Sequence, residues 1–406
     1  MRTREFDVVI CGATGFTGRY VLEALNESVE LPSLRVALAG RNADALQQAA
    51  RTLTRAESPV ATIVVDAHDD AGLAQLARRT TAVLTTVGPY LRHGMPLARA
   101  CATEGTHCID LTGEPPFIKR SIDALHATAQ ASGARIVHCG GFDSVPSDLG
   151  TLLLQNAAIA DGGPCDDVIG TLMKARGGFS GGTAHSLLGV LEAASSDPDA
   201  RAAMRDPYAF VPAEARGPER GERFTVGDDP DIDGVVGPFL MGPINTRVVR
   251  RSNYLLGGRY GSTFRYREQM RAGRRGLRAL ATAHGMRLAL MGTVGLGATA
   301  AGRALLRRVL PAPGTGPSPE SIRTGMFELH VHGHRRVDGA HYRCVVRAER
   351  DPGYGGTAVM IVEGALRLAT DVDLGAAGVT TPAAALGVPL VERLRRRGFH
   401  FDVARV

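Results

Sequence analysis

The sequence predicts an α/β protein: a Rossmann doubly wound parallel sheet joined to a second α+β domain. Three observations predict it. Between residues 7 and 139, six short apolar runs alternate with segments of helical period. A glycine-rich loop follows the first run. At 406 residues the chain exceeds what one hydrophobic core comfortably serves.

The six runs are Asp7–Cys11, Leu34–Ala39, Val60–Val65, Ala82–Val87, His107–Leu111 and Arg135–Cys139. They are rich in Val, Ile and Leu on both faces, as strands of a covered parallel sheet must be. The segments between them, about 15–28, 43–54, 69–79, 94–104 and 116–132, carry Ala, Leu, Gln and Arg at helical spacing. Six βα units in succession give the doubly wound sheet.

The pattern breaks at Gly140–Gly150, the expected crossover, so the domains are placed at 1–146 and 147–406. Beyond it the spacing predicts strands at 166–175, 323–336 and 341–350, and helices at 182–195, 357–369 and 389–397. The stretch 197–265, rich in Gly, Pro and charge, is left unassigned. Leu288–Gly302 holds fifteen residues without a charge, between clusters of Arg. It is short for a membrane span, which needs about 20 residues. It reads either as a buried helix or homodimer contact, or as an interfacial segment touching anionic lipid.

The loop Gly12-Ala13-Thr14-Gly15-Phe16-Thr17-Gly18 lies between a strand and a helix, the context that separates a phosphate loop from a chance pattern. Glycine removes side-chain bulk where main-chain N–H groups at the helix start face a pyrophosphate. The second strand ends in Gly40-Arg41 rather than in the carboxylate that bonds the ribose of NAD. The planar cation of Arg41 suits a 2′-phosphate, so NADPH is the expected cofactor. Asp66, after the third strand, is placed at the adenine. Val87-Gly88-Pro89, after the fourth, is placed beside the nicotinamide.

The net charge of +6 raises nucleic-acid binding, but no zinc-finger spacing or aromatic motif accompanies the Arg residues, so none is expected. The six cysteines form no CxxC pair and fit a reducing compartment. The N-terminal residues run into a strand without an apolar signal region. A cytoplasmic location is therefore expected, with peripheral contact at the inner face of the membrane if 288–302 touches lipid.

Taken together, these motifs resemble the saccharopine dehydrogenase-like family. The resemblance rests on residues 12–18, Ala39-Gly40-Arg41, Val87–Tyr90 and Gly140–Gly150, and continues through 181–186 and 351–358. The segments 380–387 and 392–402 resemble the branch of trans-acting enoyl reductases. The resemblance implies NADPH-dependent reduction of a carbon–carbon double bond in an acyl intermediate of complex lipid biosynthesis. The acyl group would be carried on a polyketide synthase that lacks its own enoyl reductase. Amino-acid dehydrogenases acting on C–N bonds, and membrane-associated members, belong to the same family. Both alternatives stay open: an amino-acid-type dehydrogenase, and a non-catalytic nucleotide-binding protein.

Reduction of an enoyl thioester needs hydrogen-bond donors for the developing oxyanion and a proton for the α carbon. Tyr90, His93, Ser144 and Tyr354 are the candidates, the first two because ligands lie beyond the carboxyl ends of such strands. Asp143 and Asp148 read as loop and first-turn residues. Asp110 and Glu114 either line the cleft or stabilise its loop. His185 reads as a buried or helix-surface histidine. His330, His332 and His334 alternate on one strand face, but no acidic or Cys partner lies near them in the chain. No metal is expected, and the face reads as solvated.

Overall fold

The computed structural model describes residues 4–177, 181–222, 224–309 and 316–406. The first half runs β1 (Phe6–Cys11), α1 (Phe16–Asn26), β2 (Val36–Gly40), α2 (Ala43–Ala50), β3 (Ala61–Val64), α3 (Asp70–Arg79), β4 (Thr80–Thr85), α4 (Tyr90–Glu104), β5 (His107–Asp110), α5 (Pro115–Ser132) and β6 (Arg135–Val137). The second begins with α6 (Val145–Ala160), β7 (Asp167–Arg176), α7 (Gly181–Ser196), α8 (Pro198–Arg205), β8 (Gly227–Asp228), β9 (Val235–Gly237), α9 (Gly242–Leu255) and β10 (Arg265–Gly273). It continues through α10 (Leu277–Gly297), α11 (Ala300–Val309), α12 (Pro319–Arg323), β11 (Met326–His334), β12 (His341–Ala348), α13 (Thr357–Thr370), β13 (Gly378–Thr380), α14 (Pro382–Ala385), α15 (Gly387–Arg396) and β14 (His400–Arg405).

The first sheet has the order β13-β6-β5-β4-β1-β2-β3, and every pair in it is parallel. Its strands are buried because helices cover both faces: Val9, Ala37 and Val83 pack into one core, and Ile10, Leu38 and Leu84 into the other. Strand order reverses between β1 and β4, and that reversal opens a crevice at their carboxyl ends. The second sheet, β14-β12-β11-β7-β10-β9-β8, is antiparallel except for β7 and β10.

The division expected at 146/147 is crossed by the chain itself. β13 adds a seventh strand to the first sheet, and α13 packs against β1, β4 and β5. α6 meanwhile packs on β11 and β12 of the second sheet. One hydrophobic core consequently runs from Ile10 and Leu84 through Ala358 and Val362 to Leu329 and Val346.

α10 corrects the expectation of a buried helix. Leu288, Met291 and Val294 are 68%, 61% and 52% exposed, and only Ala279, Ala283 and Gly297 of this helix are buried. A Cβ on Gly297 would lie 2.4 Å from Leu191, so glycine sets the close approach of α10 to α7. Among the described residues, no helix is long and apolar enough to cross a membrane.

Candidate active site

The Gly12–Gly18 loop is built by the close passage of β1 against β4. Gly12 has φ +87°, and a Cβ there would stand 2.6 Å from Thr86 Oγ1. At Gly18 a Cβ would meet the carbonyl oxygen of Gly12 at 2.2 Å. Gly15 instead has an ordinary φ of −78° and caps α1 without a side-chain bond. The first N–H groups of α1 therefore have no side-chain acceptor, and with the helix dipole they form an anion cradle that fits a pyrophosphate.

Arg41 follows β2 and is 82% exposed, with Nε 4.0 Å from Asp66 Oδ2. Asp66 also accepts from His68 N at 2.9 Å. His93 does not face the chemistry as expected. Its Nδ1 meets His68 Nε2 at 2.9 Å, and burial and then His68 push its pKa down. His93 thus sits with His68, Arg41 and Asp66 at the outer end of the crevice.

A cavity of about 1360 Å³ opens from the phosphate loop. Gly15, Phe16 and Thr17 form one end, followed by Thr86, Gly88, Pro89 and Tyr90. Phe142, Asp143 and Tyr354 line its middle. Its far wall is mainly apolar, made by Val190 and Leu191 of α7, Met241 and Ile244 around the start of α9, and Leu290, Met291 and Val294 of α10, with Arg205 and Arg287 among them. The unassigned stretch 197–265 supplies much of that wall.

Of the expected donors, Tyr90 lines the cavity, but its hydroxyl is engaged by the main chain: it donates to Thr85 O at 3.1 Å and accepts from Leu111 N at 3.2 Å. Burial holds its pKa well above that of a free tyrosine. α4 also begins at Tyr90, four residues before its expected start, because Glu114 accepts from Tyr90 N at 3.0 Å and Leu91 N at 2.7 Å. The same carboxylate accepts from Ser186 Oγ at 2.8 Å, tying α7 to the crevice. Burial raises the Glu114 pKa against these hydrogen bonds. Asp110 bonds His138 Nδ1 at 2.7 Å and Thr112 N at 3.0 Å. Both carboxylates stabilise the loop.

Ser144 is fully buried and is not in the cavity wall. Its hydroxyl donates to Asn245 Oδ1 at 2.9 Å, and Asn245 Nδ2 donates to Glu268 Oε2 at 2.8 Å. This network joins α6 to α9 and β10. Tyr354 does line the cavity. Its ring packs edge-on to Phe16 with centroids 4.8 Å apart, and burial raises its pKa. Asp351 Oδ2 accepts from Tyr354 N at 2.6 Å and fixes the turn.

Sequence reasoning missed Asp143. Its carboxyl lies in the cavity beside Gly113, and burial, aided by Asp110, pushes its pKa up to about 7. Phe142 N donates to Thr357 Oγ1 at 2.9 Å, and that hydroxyl donates to Pro352 O at 2.7 Å, so the Asp143 loop and the Tyr354 turn are held together. A signal was present: an Asp one residue after the Phe of the crossover loop, beyond the carboxyl end of the sixth strand. His185 also faces the cavity.

Residues 8–137 match the family described as saccharopine dehydrogenase NADP binding domain. A Mycobacterium tuberculosis protein named as a trans-acting enoyl reductase is 41% identical over 419 residues, spanning 99% of this chain and 98% of that protein. A trans-acting enoyl reductase of Mycobacterium bovis is 38% identical over 99% of both chains, and one from Mycobacterium ulcerans is equally similar. Among solved structures, the apo saccharopine dehydrogenase (L-Glu forming) of Saccharomyces cerevisiae has the same fold, with TM-score 0.57 at 12% identity over 98% of this chain and 99% of that one.

Proposed function

From the premise that this chain belongs to the saccharopine dehydrogenase-like family, in its trans-acting enoyl reductase branch, and is an NADP-dependent oxidoreductase, we propose that it reduces the α,β double bond of a long acyl thioester presented by a polyketide synthase. The observation that carries this reading is the continuity of the cavity, from the phosphate loop past Asp143 and Tyr354 to an apolar wall. Bound NADPH supplies the hydride that adds to the β carbon.

Gly12–Gly18 would hold the pyrophosphate, Arg41 the 2′-phosphate and Asp66 the adenosine, with Val87, Gly88 and Pro89 bordering the nicotinamide. Tyr354, a neutral donor in the cavity, would hydrogen-bond the thioester oxygen as charge develops there. Asp143 would deliver the proton to the α carbon, since a carboxyl with a pKa of about 7 is substantially protonated at neutral pH. Tyr90 would shape the crevice. Pro352–Gly356 and α10, residues distant from the first sheet in sequence, would close the cavity around the acyl chain and exclude water.

The apolar wall favours the acyl reading over an amino-acid substrate. Two of the arginines at the cavity are engaged elsewhere: Arg92 meets Glu192 at 3.7 Å, and Arg201 donates to the Ala194 and Ser195 carbonyls at 2.9 Å. The exposed apolar face of α10, beside Arg274, Arg275 and Arg278, would contact an anionic lipid surface from the cytoplasmic side. NADPH consumption against 2-enoyl thioesters of graded length, with an amino-acid and oxo-acid pair in parallel, tests the reading. Turnover confined to enoyl thioesters and improving with length is expected; turnover confined to the amino-acid pair would replace it.

A further inference from the structure

The second sheet carries a cluster of imidazoles remote from the cavity. His334 at the end of β11 and His341 at the start of β12 are cross-strand partners. Period-2 geometry puts their side chains on the same face. Their rings stack with centroids 4.2 Å apart and planes 16° from parallel. The acidic partner that the local sequence lacks comes from a distance of a hundred residues: Asp231, between β8 and β9. Asp231 Oδ2 lies 2.9 Å from His334 Nε2, and its Oδ1 lies 3.8 Å from His341 Nε2. One ligand atom from each of the three fits within 4.8 Å of the others.

Asp231 is held in place by its own loop. Its N–H donates to Asp229 Oδ1 at 3.0 Å, and Asp229 Oδ2 accepts from Gln269 Nε2 at 2.7 Å. The carboxylate is thus presented to the two rings by an anchored turn rather than by a free side chain. His332 lies behind the three, 2% exposed, with its Nδ1 3.1 Å from His341 Nε2. His330, the remaining member of the alternation, is instead committed to Glu328 at 2.8 Å.

We propose that Asp231, His334 and His341 bind a divalent zinc ion, with a water at the fourth position. Two imidazoles and one carboxylate are a donor set for zinc, and ligand atoms about 2.0–2.1 Å from a tetrahedral ion stand about 3.3 Å apart. The Asp231–His334 and Asp231–His341 spacings of 2.9 and 3.8 Å already bracket that value. The ion cross-links the β8–β9 loop to the β11–β12 hairpin. It is structural, since the cavity lining includes none of its ligands.

The test uses the full chain without a histidine tag, stripped with a chelator and titrated with cobalt(II) and zinc(II). The expected result is a tetrahedral cobalt absorption band that saturates at one ion per chain and is displaced by zinc. Zinc should also raise Tm, as any ligand selective for the folded state does. The paired substitution His334→Ala with His341→Ala should weaken binding at least about 100-fold and abolish the Tm shift, whereas His330→Ala should change neither. If the paired variant misfolds, Asp231→Asn, which keeps the side-chain shape, is read in its place. Equal binding by the parent and the ligand variants, or no tetrahedral band, overturns the proposal.

Discussion

The proposed proton donor is one carboxyl. Asp143 is the cavity residue whose pKa burial lifts to about 7. Asp143→Asn keeps the side-chain size and should lower kcat by about 10²–10⁴ with NADPH affinity unchanged, measured by steady-state kinetics and calorimetry. In the parent enzyme kcat should fall as pH rises above about 7, as the carboxyl ionises, and the variant should lose that limb. An unchanged pH profile would remove Asp143 from the role. At the other end of the crevice, Arg41→Asp should weaken NADPH by about 10–100-fold and leave NADH nearly unaffected, since a charge-assisted hydrogen bond contributes about 1.5–3 kcal/mol. Equal losses for both cofactors would move the 2′-phosphate contact elsewhere. The glycines of the 12–18 loop were legible in the sequence because the backbone itself requires them: Gly12 has a positive φ, and at Gly18 a Cβ would meet a carbonyl oxygen. The donors were not. Whether a hydroxyl faces a cavity or a main-chain carbonyl depends on contacts such as Tyr90–Thr85 and Ser144–Asn245, which local spacing does not encode.

Elements were legible where one period runs unbroken. The parallel strands β1 to β6 and helices α5, α7 and α13 fall within a few residues of their expected bounds. β9, α9 and β10 were not assigned, because their strands and turns interrupt both periods and carry Arg at buried positions. Arg250 and Arg251 are buried in α9, where their terminal nitrogens donate to the Tyr266, Phe210 and Val379 carbonyls. α10 was visible as an uncharged run, yet its exposure was not, because a helix apolar all round ordinarily signals burial. Leu277→Gln with Leu288→Gln should abolish sedimentation with anionic liposomes while leaving Tm within about 1 °C, because both side chains face solvent outside the cavity wall. A parent protein that fails to sediment would contradict the lipid contact.

At the scale of the molecule, the two sheets share one core, and the C-terminal part returns to the first sheet through α13 and β13. That return was hidden, since β13 has only three residues. The shared core also encloses carboxyls. Burial raises Asp148 and Glu268 to about 7, and neither has a cation among its hydrogen-bond partners. Groups with a raised folded pKa favour the folded state below the ordinary carboxylate range, and that contribution is lost as pH rises through 7. Thermal unfolding should therefore show Tm declining between about pH 4 and pH 7, and Asp148→Asn should flatten that decline; an unaltered slope would argue against a buried titrating Asp148. The central claim is hydride delivery to an acyl double bond within the continuous cavity. Its most direct test is single-turnover reaction of a long 2-enoyl thioester with NADPH deuterated at the hydride-donating carbon, followed by mass spectrometry of the product. One deuterium on the β carbon is predicted. NADPH binding with no label transferred to that carbon at any chain length would contradict it.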